Sequence, residues 1–252
     1  MTTETILITG GTGRIGAVLV RALAESGHRV VFTSRTPEKR DRLLSDIARP
    51  EQVVGLISAL DEPDAVEKLL AELTAQQLLP GVLINNARRQ DTLQLAGNGL
   101  PGRTQWLDEY VLDVVAPCAL AVQLAAVKKT PLKSVINIAS MYGVVPFNST
   151  LYEDPATQAP IHYSVAKAAQ IHMSRELAVR LAGQGIRVNS IAYGGVEGRV
   201  DEAFKKRYAR LCPQGRMLTD KDLAGPVAFL LSEASAGVTG HNLVVDGGWT
   251  VW

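Results

Sequence analysis

Tyr163 and Lys167 stand four residues apart in "YSVAK". On a helix that spacing puts both side chains on one face, so an ammonium comes to lie beside a phenol. A neighbouring cation favours the phenolate. A phenol in that setting can give a proton to a carbonyl oxygen or take one from an alcohol. The chemistry on offer is acid/base work at a C–OH or C=O group. A core tyrosine next to a surface lysine has the same spacing, so the pair needs company before it means an active site.

That company comes from the other end of the chain. Residues 11–16 read Gly-Thr-Gly-Arg-Ile-Gly, a G-x-G-x-x-G pattern directly after an apolar strand-like run and at the opening of a helical one. Glycines there permit a tight turn and close backbone approach, and the helix N-terminus offers free N–H groups to a pyrophosphate. Dinucleotide binders that take NAD usually end their second strand on an acid that holds the ribose hydroxyls. In "FTSRTPEKR" Ser34 and Arg35 occupy that place, with Lys39 and Arg40 one turn on. A guanidinium pairs with a 2′-phosphate where an acid would repel it, so NADP(H) is the expected cofactor and NAD the alternative. Arg14 reads as a second cation near the adenine ribose phosphate. Both arginines as plain solvated charges is the competing reading.

The elements that must position these residues follow from the apolar pattern. "TILIT", "RVVFTS", "VVGLI", "GVLINNA", "SVINIAS", "RVNSIA" and "NLVVDGG" are strand-length apolar runs, and the early ones alternate with amphipathic helical stretches such as "IGAVLVRALAESG" and "PDAVEKLLAELTAQ". Continuous apolar strands alternating with helices predict a doubly wound α/β fold, a parallel sheet covered on both faces. No linker or repeat divides residues 1–252, so one domain is expected. Long loops are expected near 88–104, 141–162 and 193–215. Each follows the carboxyl end of a strand, the edge at which open α/β sheets bind ligands.

Composition closes off several alternatives. Of the 252 residues 46% are hydrophobic and 20% charged, with a net charge of +1 and the two signs mixed along the chain. That balance speaks against nucleic acid or an anionic membrane as partner. Cys118 and Cys212 form no framework or CxxC site, and His28, His162, His172 and His241 match no zinc spacing, so no metal is expected. No signal segment or membrane span is expected, and a cytoplasmic protein acting on a small molecule is the default.

Taken in order, the glycine loop, "NNA" (residues 85–87), "INIAS" ending at Ser140, "YSVAK", "IRVNSIAYGG" and "GHNLVVDGG" resemble the short-chain dehydrogenase/reductase family over nearly the whole chain. The resemblance implies a Rossmann-type three-layer αβα sandwich and hydride transfer with a nicotinamide cofactor. It makes Tyr163 the acid/base, Ser140 the group that stabilises the reacting oxygen, and Lys167 the residue that tunes Tyr163 and binds the nicotinamide ribose. It lines the cofactor site with Gly10, Gly13, Arg14, Ile15, Gly16, Ser34, Arg35, Leu60, Asn86, Ala87, Tyr163, Lys167, Gly194 and Val196. A homo-oligomer, tetramer or dimer, is implied as well.

Departures from the family pattern carry information too. The loop suits TGxxGxxG, the form of the extended sugar-nucleotide branch, while the other motifs and the length belong to the short branch. Asp113 stands where the family has a catalytic asparagine. The glycine of "NNAG" is Arg88, followed by Arg89; either could clamp a phosphate or carboxylate, with a solvated loop arginine the competing reading of each. Tyr193 with Gly194 replaces the usual "PG". Ser140 and Tyr163 lie 163 − 140 = 23 positions apart, about twice the usual spacing, and the extra segment carries Tyr142 and Tyr152. Its motifs look most like members from bacterial surface-sugar and flagellin-modification pathways, which implies a sugar-like or acidic polyhydroxylated substrate touched by Arg88, Tyr142, Tyr152 and Tyr193. Trp106 or Trp252 could stack on a sugar, with core packing the safer reading of each. Two rival functions are a redox sensor without turnover and a sugar-nucleotide epimerase or dehydratase.

Overall fold

The computed structural model describes residues 4–93, 95, 99–198 and 200–252. In chain order its elements are β1 (Thr5–Ile8), α1 (Arg14–Glu25), β2 (Arg29–Ser34), α2 (Pro37–Ser45), β3 (Val53–Ile57), α3 (Ala65–Ala75), β4 (Val82–Asn85), α4 (Arg103–Tyr110), α5 (Ala116–Ala126), β5 (Ser134–Ser140), α6 (Pro155–Gln158), α7 (Ile161–Leu181), β6 (Arg187–Tyr193), α8 (Glu202–Leu211), α9 (Ala224–Leu231) and β7 (Asn242–Val245). A five-residue π-helical stretch, Val111–Val115, joins α4 to α5.

The strands form one sheet in the order β3-β2-β1-β4-β5-β6-β7, every pair parallel. Alternation along each strand sorts the core into two layers. Leu7, Val31, Leu83, Val135 and Val188 face one way, onto Leu69 and Leu73 of α3, Leu120 and Leu124 of α5 and Leu177 of α7. Ile6, Ile8, Ile84, Ile136 and Ile191 face the other, onto Leu19 and Leu23 of α1, Leu43 of α2 and Val227 and Leu230 of α9. Each fully buried aliphatic side chain contributes roughly 1.5–3 kcal/mol. The result is the three-layer doubly wound fold that the alternating pattern predicts. The strand order reverses between β1 and β4, and ligands of such sheets bind in the crevice outside that switch point.

Two of the expected loops hold more structure than the sequence suggests. The 193–215 region contains the ten-residue α8, whose Asp201 accepts a hydrogen bond from Phe204 N at 2.7 Å as N-cap. The 141–162 insertion is two 3₁₀ turns and the short α6, and it is anchored: Arg207 Nε donates to Leu151 O at 2.8 Å, and Leu151 and Met141 pack with Tyr208, Cys212, Met217 and Trp249. Within 88–104, residues 94 and 96–98 lie outside the described residues.

One helical stretch, Arg103–Ala126, is long and apolar enough by length and composition to cross a membrane, and half of its apolar window is buried inside the fold. Its apolarity has two sources here: Leu112, Leu120 and Leu124 face the core, while Leu107, Tyr110, Val115 and Val122 face outward.

Candidate active site

The glycine loop forms a cradle at the carboxyl edge of β1. Gly10 N–H donates to Thr33 Oγ1 at 3.0 Å and Gly11 N–H to Thr33 O at 2.9 Å, which ties the loop to β2. On the other side Asn86 Nδ2 donates to Thr9 O and Gly10 O at 3.0 and 3.1 Å, and Thr9 Oγ1 accepts from the N–H groups of Asn86 and Ala87. Two glycines are required by this geometry. Gly10 has φ +64°, and a Cβ on Gly16 would come within 2.3 Å of Gly10 O. Gly13 is the N-cap of α1 and supplies no side-chain acceptor, and the first turn of α1 holds no acid, so the N-terminal N–H groups of α1 remain available to a pyrophosphate. Ile15 and Leu60 sit lower, half-buried and buried in the two core layers.

At the end of β2, Arg35 is exposed while Ser34 is fully buried. The Ser34 hydroxyl donates to Thr36 O at 3.0 Å and lies 3.3 Å from Thr12 Oγ1. The expectation that both residues meet the ribose is therefore corrected for Ser34, which shapes the turn, and the half-buried Thr12 stands at the surface in its place. Arg14 is corrected as well. Its Nε and Nη2 donate to Glu197 O at 3.2 and 3.1 Å, and Nη2 pairs with Asp220 at 2.5 Å. The guanidinium starts α1, where the helix dipole disfavours a cation, and a carbonyl and a carboxylate from the segment after β6 supply the compensating charge. It thus clips the glycine loop to that segment instead of joining Arg35.

The three residues expected to be catalytic lie on β5 and α7, which pack against each other. Ser140 closes β5, buried, its Oγ accepting from Tyr142 N at 3.2 Å. Tyr163 and Lys167 lie one turn apart on α7, with Lys167 Nζ 5.9 Å from the centroid of the Tyr163 ring. Lys167 is buried and donates to Asp113 Oδ1 at 2.8 Å, Ile138 O at 2.9 Å and Gln170 Oε1 at 3.1 Å. Asp113 is 1% exposed and sits in the π-helical stretch. The widened turn brings its carboxylate onto the lysine directly, a contact that the family's asparagine is expected to make through water. Beneath, Asn85, Asn137, Ser174 and Gln170 form a buried hydrogen-bonded chain that fixes β4, β5 and α7.

The expected substrate residues divide. Tyr142 and Tyr152 hydrogen-bond hydroxyl to hydroxyl at 2.6 Å, and both phenols are pushed up by burial, so both stay protonated. Tyr163 adds a smaller electrostatic push in the same direction on each. One proton of the pair remains to donate to a third oxygen. Arg88 lies with its guanidinium carbon 4.1 Å above the Tyr163 ring. Tyr193 is a correction: β6 alternation puts it on the α1/α9 side with Ile191, 2% exposed, its hydroxyl donating to Leu223 O. Gly194 N donates to Val245 O at 2.9 Å, and Val196 forms a β-bridge to Leu218. Trp106 packs against His162 at 5.9 Å, and the exposed Trp252 donates from Nε1 to Leu211 O.

Glu109 escaped the sequence reading. It is 1% exposed on α4, bonded to Thr92 and 3.7 Å from Arg88 Nε. Burial first, and the Asp113 charge next, push its carboxyl above the ordinary value. The available signal was its place four residues before Asp113 in "DEYVLD".

A nucleotide cradle at a topological switch point, with a serine closing β5 and a tyrosine and a lysine on α7, which packs against β5 and β6, defines a dinucleotide-dependent oxidoreductase of the doubly wound class. Comparison with known proteins gives the family. A family profile described as "Enoyl-(Acyl carrier protein) reductase" matches residues 12–250. The chain is 31% identical, over 96% of its length and 93% of the relative's, to "Probable galactose dehydrogenase GalD" of Rhizobium meliloti. It is 38% identical to a flagellin modification protein A of Campylobacter coli in a match covering 48% of either chain. A short-chain dehydrogenase from Leptospira borgpetersenii, solved with bound NAD+, superposes with a TM-score of 0.85 at 27% identity, over 98% of this chain and 93% of that one. The protein belongs to the short-chain dehydrogenase/reductase family, and is an oxidoreductase of alcohol and carbonyl groups.

Proposed function

We propose that the chain is an NADP(H)-dependent oxidoreductase interconverting a carbonyl and a secondary alcohol on a sugar-like or acidic polyhydroxylated molecule. The observation that carries the reading is the gathering of Ser140, Tyr163 and Lys167 beside the glycine cradle, with Arg35 exposed and no acid at the end of β2. When bound, the nicotinamide supplies or accepts the hydride. Tyr163 gives its proton to the carbonyl oxygen during reduction and takes it back from the alcohol during oxidation. Ser140 donates a hydrogen bond to the same oxygen as charge develops on it. Lys167 lies beside Tyr163 with its three N–H donors taken by Asp113, Ile138 O and Gln170, and would give up one of them to hold the ribose hydroxyls. Arg35 pairs with the 2′-phosphate.

Titrating the protein with NADPH and NADH by nicotinamide fluorescence, in wild type and Arg35→Asp, tests the reading. NADPH should bind about tenfold or more tightly than NADH, as a charge-assisted pair implies, and the substitution should erase the preference. Equal affinities in the wild type would remove Arg35 from the site and make NAD the cofactor.

A homo-oligomer, tetramer or dimer, in the cytoplasm completes the proposal. Its support is the outward apolar row Leu107, Tyr110, Val115 and Val122, with Ile161, Val165 and Val179 on α7. Light scattering on the eluting peak tests it, and a monomer refutes it.

A further inference from the structure

Arg88 and Arg89 follow one another and live in different electrostatic worlds. Arg89 is saturated: Nη1 meets Asp61 at 2.7 Å and Asp108 at 3.7 Å, and Nε and Nη2 bind Asp91. Its work is to pin the start of the 88–104 loop. Arg88, 29% exposed, lies over the Tyr163 ring with its guanidinium carbon 4.1 Å from the centroid, and its one ion pair among the described residues is Glu109 at 3.7 Å, beyond hydrogen-bond reach.

Glu109 is also a poor counter-ion. Thr92 has one hydroxyl proton, yet its Oγ1 faces two acceptors, Arg89 O at 3.1 Å and Glu109 Oε2. Both contacts are satisfied together when Glu109 carries a proton and donates it to Thr92, leaving the Thr92 hydroxyl to Arg89 O. The upward push on the Glu109 carboxyl by burial and by Asp113 agrees with this geometry. Asp113 already belongs to Lys167. The Tyr163 ring therefore carries a planar cation whose neighbouring acid is pushed toward its neutral form, and among the described residues its bidentate edge has no hydrogen-bonded acceptor.

We propose that Arg88 recognises a carboxylate of the substrate, and that the molecule turned over is a polyhydroxylated acid, a hydroxy acid or its keto form, with the carboxylate close to the reacting carbon. This rests on the oxidoreductase reading above and chooses between its two substrate classes. Contact with the Tyr163 ring holds the guanidinium beside the phenol in advance, so the acid is read where the proton moves and not at a remote subsite. The Tyr142–Tyr152 pair, with one proton left to donate, faces the remaining hydroxyls.

The test uses isothermal titration of the NADPH-saturated protein with D-galactonate and with its neutral counterpart galactitol, in wild type, Arg88→Ala and Arg88→Gln. The expected result is galactonate binding at least about tenfold tighter than galactitol, as a charge-assisted bidentate contact implies, with the ratio falling to near one in both variants. The Gln variant keeps most of the side-chain bulk, so the test survives if the Ala variant folds poorly. Equal binding of the two probes, no saturable galactonate binding, or a ratio unchanged by the variants overturns the inference. If neither NADPH nor NADH binds, the oxidoreductase reading itself falls and takes this inference with it, and the saturation step separates the two failures.

Discussion

The cofactor end and the catalytic end of the sheet edge are held by different forces. Around Gly10–Gly16 the contacts are chiefly backbone N–H groups, carbonyls, threonine hydroxyls and the Asn86 amide, with the Arg14–Asp220 ion pair to one side, and the tolerance is for volume: a methyl group at Gly16 has nowhere to go. Around Tyr163 four ionisable side chains, Arg88, Glu109, Asp113 and Lys167, lie buried or half-buried within one another's fields. There the tolerance is for charge. The difference follows from the ligands: a pyrophosphate needs close approach by dipoles, and proton transfer needs groups whose charge can be set.

Removing the buried ammonium should do most damage. Lys167→Met leaves Asp113 buried without a cation, and urea denaturation should show a loss of about 3–5 kcal/mol, with turnover lost as well. Replacing Asp113 by Leu in the same chain should recover most of the stability and none of the activity. A midpoint unchanged in the single variant would mean that the catalytic end is not held by charge, and the contrast would collapse.

Tyr163→Phe removes the proton donor and leaves the buried pair intact. Turnover of a polyol or its keto form should fall about 10²–10⁴-fold with NADPH affinity unchanged. Full activity would sink the assignment.

At the other end, Gly16→Ala should cost about 1–3 kcal/mol by overpacking and weaken NADPH binding. Its effect should be the same at pH 6 and pH 8, because no titrating group is involved. A pH-dependent effect would blur the distinction between the two ends.

The smallest effect sharpens the comparison. The Glu109 carboxyl, facing Thr92, Arg88, Asp113 and Lys167, is raised in the fold above its unfolded value of 4.5. The fold therefore binds that proton more tightly than the unfolded chain does. Its contribution is fully present below about pH 4.5 and is lost as pH rises through the folded value. Glu109→Gln, which mimics the protonated form, should flatten the fall in Tm between pH 5 and pH 8. An unaltered slope would mean that Glu109 is ionised throughout and serves Arg88 as a true counter-ion.

The sequence alone determined the sheet, because strand-length runs rich in apolar residues, such as "TILIT" and "RVVFTS", alternate with amphipathic helical stretches, and strands of that kind must be covered by helices on both faces of a parallel sheet. It determined the cradle too, since glycines at 10 and 16 answer to local backbone geometry, and it paired Tyr163 with Lys167 by helical spacing. Tertiary structure decided everything that depended on where a long side chain ends. Nothing local tells that Arg14 reaches Glu197 and Asp220, that Arg88 lies on Tyr163 while Arg89 is captured by three aspartates, or that Asp113 closes directly on Lys167 from a widened turn. Tyr193 and Glu109 make the point in opposite directions. A strand-end tyrosine was turned into the core by parity, and a helix glutamate was buried at the active site. Strand and helix periods are written in neighbouring residues. The partner of a charge is chosen by the strands and helices that meet it, and those come from elsewhere in the chain.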